Sequence, residues 1–372
     1  MNRPDRSIAA VLTLAAALLA GCSHTISRAP NHPGGPFDFR KAECKNPPDG
    51  NVTDDRVSVR YLGAGGVAIR WQGETVLTAP FFSNYSLARV LCGRLRPNEK
   101  AIGKGLADVP LGTVRAILAG HSHYDHLGDL PVVVGLIPNK DVRVFTNDSG
   151  KKLLGHTLPD RVESLQGSLG KPVDIPGADG RTRFRVSAVR TEHAPHIFRY
   201  LWGKGEAEEW TGPWRPPVRR LKCGTPLAFV LDLLDPESGK TRFRIYLQDS
   251  ASGAGQGLPP AAVTGDGHPF DLAVFCLPSY TLVRDAPGWL LGRLQPRHVL
   301  VIHYEDFFQS RNRRFVTLMT RRKADRYLQK IEDGLRLSSV EPRGPLGDVC
   351  GASTREWTLP LPGEALTFEA AR

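Results

Sequence analysis

The segment His121-Ser122-His123-Tyr124-Asp125-His126-Leu127-Gly128-Asp129 limits most strongly what this chain can fold into. Three imidazoles and a carboxylate fall within six positions, directly after the apolar run Val114-Arg115-Ala116-Ile117-Leu118-Ala119-Gly120. That run reads as a buried strand closed by a glycine. Extended residues two apart point the same way, so His121 and His123 face one point in space. A turn into a helix then aims Asp125 and His126 at a second, neighbouring point. A polar surface turn is the bland alternative. Four ligand-type side chains at the end of an apolar strand argue against it, because buried without partners they would be costly. Neutral imidazoles and a carboxylate suit zinc, and also manganese or iron.

These residues resemble the HxHxDH signature of the metallo-β-lactamase-fold hydrolases, complete at all four ligand positions. The resemblance covers about residues 55 to 335. It implies an α/β fold, a four-layer αβ/βα sandwich. It also implies two divalent metal ions, most readily zinc, about 3.5–4 Å apart and sharing a hydroxide. Carried over residue by residue, it puts His121, His123 and His193 on one ion and Asp125, His126 and His303 on the other. Asp249 would bridge them, and Asp125 and Asp249 would be the catalytic carboxylates.

The later part of the chain offers those ligands at strand ends. Thr182 to Arg190 alternates and leads into Thr191-Glu192-His193. His196, three residues on, is the rival of His193. The strand at 241–247 ends in Gln248-Asp249-Ser250, where Asp249 could instead cap a helix. Arg297 to His303 is a strand ending in His303, whereas His298 lies at its wrong end and His268 sits in a Gly/Asp loop. Further strands are expected at 57–63, 67–71, 75–78, 141–146, 226–234, 271–277 and 364–368. Helices are expected at 127–136, interrupted at Pro131, and at 149–154, 288–294 and 315–335. The closing helix would turn Phe315, Leu318, Met319, Tyr327, Leu328 and Ile331 inward.

Gly63-Ala64-Gly65-Gly66 lacks the Lys-Ser/Thr of a P-loop and reads as a tight turn. With the following hairpin and Ala79-Pro80-Phe81-Phe82-Ser83, it resembles the start of the phosphodiesterase-like branch of the superfamily. That branch includes N-acyl-phosphatidylethanolamine phospholipase D and the ascorbate-lactone hydrolases. Ala79-Pro80 stands where the branch carries an aspartate-proline-type segment.

Ahead of this domain, Arg3 and Arg6 precede an apolar stretch, Ile8 to Ala20, too short to span a membrane. Leu19-Ala20-Gly21-Cys22 resembles a bacterial lipobox, which implies a signal peptide at 1–21 and lipidation of Cys22. An ordinary signal peptide or a short anchor is the alternative. Ser23 after the cysteine implies passage to the outer membrane, if the cell has one. Residues 22–54, rich in proline and glycine, read as a flexible tether, and 55–372 as the hydrolase domain.

The formal net charge of +11 favours anionic lipid or phosphate-bearing substrates, with a merely solvated cationic surface as the alternative. The export signal argues against nucleic acid as a partner. Of the six cysteines, Cys276 lies in an apolar strand and is expected to be a buried free thiol. Cys44, Cys92, Cys223 and Cys350 could form two disulfides by any of three pairings.

Residues 196–225 interleave Phe198, Tyr200, Trp202, Trp210 and Trp214 with Arg199, Lys204, Arg215, Arg219, Arg220 and Lys222. This segment reads as an insertion forming a lid or membrane-facing lip, or as a packed surface hairpin. His123 stands where the di-iron redox branch of the superfamily carries glutamate, which favours hydrolysis. A phosphodiester, such as a phospholipid or its head group, is the preferred substrate. A lactone or amide hydrolase of β-lactamase type is the runner-up, and a non-catalytic envelope lipoprotein is a third reading. Tyr280 and His196 are candidates for protonating the leaving group. The oligomeric state is left open.

Overall fold

The computed structural model describes residues 24–25, 55–196, 203–308, 316–317, 321–336, 356–360 and 362–371. The expected signal peptide and lipidation site Cys22, nearly all of the tether, Cys44 and Cys350 lie outside these residues. So do Phe198, Arg199, Tyr200, Trp202, Phe315, Leu318 and Met319.

Two seven-stranded sheets form the middle of the fold. The first contains β1 (Arg56–Gly63), β2 (Gly66–Trp71), β3 (Glu74–Thr78), β4 (Val114–Leu118), β5 (Arg143–Thr146) and β6 (Val162–Ser164). The second contains β7 (Pro172–Pro176), β8 (Thr182–Arg190), β9 (Leu227–Leu234), β10 (Thr241–Gln248), β11 (Leu272–Cys276), β12 (His298–Ile302) and β13 (Glu356–Thr358). The last strand, β14 (Ala365–Glu369), returns to the first sheet and pairs antiparallel with β1. Each sheet begins with antiparallel hairpins and continues in parallel strands: β3 to β6 in the first, β10 to β13 in the second.

The period-two alternation of side chains shows why these strands make layers. In β4, Ala116 and Leu118 enter the core shared by the two sheets. Ile117 points the other way, into a second core, which Val114 also joins across a register irregularity at the start of the strand. That outer core is closed by α1 (Leu87–Cys92), α2 (Glu99–Gly105), α3 (Tyr124–Leu127), α4 (Leu130–Leu136) and α5 (Asp148–Leu154), through residues such as Ile102, Leu127, Leu130, Val133 and Leu153. On the far side, α6 (Gly288–Leu294) and α7 (Arg321–Arg336) cover the second sheet with Leu290, Leu291, Tyr327, Leu328 and Ile331. The order is helices, sheet, sheet, helices, as expected for a four-layer αβ/βα sandwich. Trp71 of β2 is fully buried between the sheets, and its indole N–H donates to the Leu234 carbonyl of β9 at 2.8 Å.

Two expected helices are redrawn. The break in 127–136 falls at Gly128-Asp129, and Pro131 lies in the first turn of α4, where a missing N–H costs nothing. The closing helix starts at Arg321 rather than near 315, and Val316–Thr317 instead pairs antiparallel with His24–Thr25.

Candidate metal centre

Five of the seven predicted ligands lie just beyond the end of a strand, on one rim of the sandwich. His121 and His123 follow β4, His193 follows β8, Asp249 follows β10 and His303 follows β12. His123 occupies the N-cap of α3, which turns Asp125 and His126 toward the same rim. Three overlapping sets result: His121, His123 and His193; His121, His126 and Asp249; and Asp125, His126 and His303. Within each set one ligand-type atom per residue lies within 4.8 Å of the others. His193, not its rival His196, completes the first set. The His196 ring nevertheless stands 5.0 Å from that of His193 and 5.7 Å from that of His123. Tyr280, by contrast, packs on Tyr327 with ring centroids 4.7 Å apart.

Asp249 faces both halves of the cluster. Its Oδ1 lies 3.0 Å from His121 Nδ1 and its Oδ2 lies 3.4 Å from His126 Nδ1. Gly120 N–H donates to Oδ2 at 2.9 Å. On the other side, His303 Nε2 stands 3.3 Å from Asp125 Oδ2. Atoms bound to one tetrahedral ion by bonds of about 2.0–2.1 Å stand roughly 3.3 Å apart, close to these spacings.

The donor atoms fit divalent metal. His121 Nε2, His123 Nε2 and His126 Nδ1 are buried without a hydrogen-bond partner. Each such orphan costs about 1–3 kcal/mol, and three gathered on one rim are accounted for by cations. His193 Nδ1 lies 2.7 Å from the Ala194 carbonyl, which fixes the ring and leaves Nε2 bare for a metal.

Electrostatics favour the ligating forms of five of the residues, whereas at His303 burial is outweighed by the Asp125 carboxylate, which raises it. Burial and neighbouring imidazoles pull His123 and His193 well below the usual histidine range and His126 down to about 3. Burial alone would raise Asp125, but His126, His303 and His123 outweigh it and hold the carboxyl well down. Asp249 is likewise lowered, burial being outweighed by His121, His126 and the Gly120 N–H.

Several residues that build this rim gave no separate signal in the sequence. His303 adopts a left-handed backbone, φ +59°. Its N–H donates to the Tyr61 hydroxyl at 2.9 Å, and that hydroxyl donates to the Glu305 carboxylate. The other Glu305 oxygen accepts the N–H of Ala64, tying the His303 loop to the turn after β1. In that turn, a Cβ on Gly65 would stand 2.7 Å from His126 Cε1, so only glycine lets the ring approach. Asp129 is fully buried and accepts from Phe82 N–H, Ser83 N–H and Ser83 Oγ at 2.7, 2.9 and 2.5 Å, which anchors the 79–83 segment.

Residues 203–225 pack against the first half rather than forming a hairpin. Their strand-like pairing among the described residues is a single bridge, Pro217 to Arg94. Ala207, Val218 and Leu221 are buried, and Trp214 Nε1 donates to the Gly128 carbonyl at 2.8 Å. The Cys223 carbonyl accepts from Ser122 N–H, Ser122 Oγ and Asn147 Nδ2. This bracing sits directly beneath His121 and His123. Cys223 and Cys276 are buried free thiols, and the exposed Cys92 is not joined to Cys223.

No family model matches the sequence, and no curated protein matches it. Among solved structures the chain is similar to Igni18, a metallo hydrolase from Ignicoccus hospitalis, at 14% identity and TM-score 0.48, over 84% of this chain and 99% of that one. It is similar to the metallo-beta-lactamase fold protein YhfI from Bacillus subtilis at 11% identity and TM-score 0.46, over 84% and 100%. An isothiocyanate hydrolase from Delia radicum gut bacteria gives 14% identity and TM-score 0.44, over 84% and 100%. Likeness at this level leaves the function to be argued from the rim itself.

Proposed function

We propose that the protein is a metal-dependent hydrolase with a two-ion centre. The observation that carries this reading is the sharing of residues between the three ligand sets, with Asp249 facing both His121 and His126. His121, His123 and His193 would hold one ion, Asp125, His126 and His303 the other, with Asp249 between them. Nitrogen and oxygen donors of this kind suit zinc first, then manganese or iron. When bound, two such cations activate water at neutral pH and neutralise charge on the attacked oxygen. The chain's part is to hold the ligands rigidly: the Gly120 N–H holds Asp249, the Tyr61 hydroxyl holds the His303 backbone, and the Ala194 carbonyl holds the His193 ring. Burial keeps His123, His126 and His193 neutral, and no side-chain nucleophile is called for.

The substrate we favour is a phosphodiester, such as a phospholipid or its head group. The net charge of +11 supports it, as do the basic and aromatic residues between 196 and 225. A lipid anchor at Cys22 on the cell envelope, at the periplasmic face of an outer membrane, belongs to the same reading and rests on the sequence. No helix among the described residues is long and apolar enough to cross a membrane.

Metal analysis combined with a substrate panel tests the proposal. We expect two equivalents of metal and turnover of bis-aryl phosphates or phospholipids. Turnover of lactones or β-lactams alone would move the assignment to the runner-up class. A protein that takes up no metal would be a binding factor rather than an enzyme. Recovery of the mature chain without lipid on Cys22 would sink the anchor.

A further inference from the structure

An open cleft of about 900 Å³ lies on the outer helical layer, and none of the seven candidate ligands lines it. Its walls carry Arg89, Arg96 and Arg215, the aromatic rings of Tyr85 and Trp214, and one carboxylate, Glu99. Among the described residues the three arginines form no ion pair, whereas eleven other arginines do. Arg89 is held over the Tyr85 ring, its guanidinium carbon 5.8 Å from the centroid, and the Tyr85 hydroxyl accepts the N–H of Arg96 at 3.1 Å. Trp214 is pinned by its bond to Gly128. The guanidinium-bearing wall is thus attached to fixed elements rather than to a loose loop.

Three guanidiniums against one carboxylate leave an uncompensated positive charge facing one volume. Guanidiniums match phosphate oxygens with paired, charge-assisted hydrogen bonds. The cleft's size falls within the ordinary range for small-molecule sites. Trp214 and Val132 supply an apolar wall beside the charge.

We infer that this cleft is a phosphate-binding site, separate from the metal centre, for a phosphate group borne by a lipid head group or by a small soluble ligand. It goes beyond the hydrolase reading and does not depend on it. Tyr85 nevertheless packs at 6.2 Å on Tyr124, the residue before Asp125, so an occupant would lie on the back of the ligand-bearing turn.

The test compares the full chain with a variant carrying Arg89→Gln, Arg96→Gln and Arg215→Gln. Both are titrated with inorganic phosphate by calorimetry. Both are then sedimented with phosphatidylcholine vesicles containing or lacking phosphatidylglycerol. Any contribution of the N-terminal segment is common to the two chains and cancels. Near an anionic surface each arginine is worth roughly fivefold in affinity, so losing three should weaken vesicle binding on the order of a hundredfold. The loss should shrink as salt is raised. Metal content and melting temperature should stay unchanged, which separates this result from any failure of the metal centre. Variant-sensitive binding of phosphatidylglycerol vesicles that free phosphate does not displace assigns a lipid surface. Displacement by free phosphate assigns a soluble ligand. Equal binding by the two chains, or no binding of either probe, overturns the inference.

Discussion

The Tyr61 hydroxyl accepts the backbone N–H of His303 at 2.9 Å, joining the first strand to a candidate ligand that arrives 242 residues later. The bond holds a histidine in a left-handed backbone that histidine does not adopt for its own sake. Tyr61→Phe removes this acceptor and the donor to Glu305 while keeping the ring in the core. Metal affinity should fall about 10–100-fold at the ion held by His303, the usual cost of losing a ligand-orienting group. Metal titration should show one equivalent weakened and the other retained. Equal weakening of both would disprove a local role.

Asp249→Ala deletes the carboxylate that both halves share. His121 Nδ1 and the Gly120 N–H lose their partner, and about 1–3 kcal/mol of stability should go with each buried group left unpaired. Bound metal should drop from two equivalents to one or none by elemental analysis, and hydrolysis should fall by at least about 100-fold.

Gly65→Ala should injure the site more than the fold, because its new Cβ meets the edge of the His126 ring. Metal content should decline while circular dichroism stays close to wild type. Gly103→Ala is the matched control. It lies within α2, a Cβ there meets nothing within 4 Å, and it should stabilise the protein by about 0.5–1 kcal/mol.

His298, at the start of β12, gives a pH signature away from the rim. Burial lowers it to about 4 in the folded chain, with Nε2 2.8 Å from Thr358 Oγ1. The unfolded chain takes up a proton below about 6.5, and the folded one resists until about 4. Between those values the unfolded state binds more protons, so stability falls as pH falls, by up to about 1.4 kcal/mol per pH unit from this one group. Denaturation of His298→Gln across that window, with metal present, should show a correspondingly shallower slope.

The strand ends carrying His121, His193, Asp249 and His303 were legible because each apolar run stops at a polar residue of ligand type. The alternation in β8 likewise announced a two-sided sheet. The linkage of Tyr61 to Glu305 left no trace, because Tyr61 is one more aromatic in an alternating strand and Glu305 one more acid in a loop. Pairing across such a separation is a property of topology, not of local pattern. Gly65 was visible only as a turn residue, since the His126 ring behind it comes from 61 positions away. Pro131 misled for a local reason: proline ends some helices and begins others.

β14 gives the chain a temporal order. It lies beside β1, where Tyr61 N–H donates to the Glu364 carbonyl and Gly363 N–H donates to the Tyr61 carbonyl. A segment synthesised after every candidate ligand thus steadies the residue that steadies His303. A nascent chain can present every imidazole and carboxylate of the rim and still lack the brace that sets the final one. Setting of the last candidate ligand is in this sense a late event, and a premature stop codon before Gly363 should spoil it without deleting a single candidate ligand.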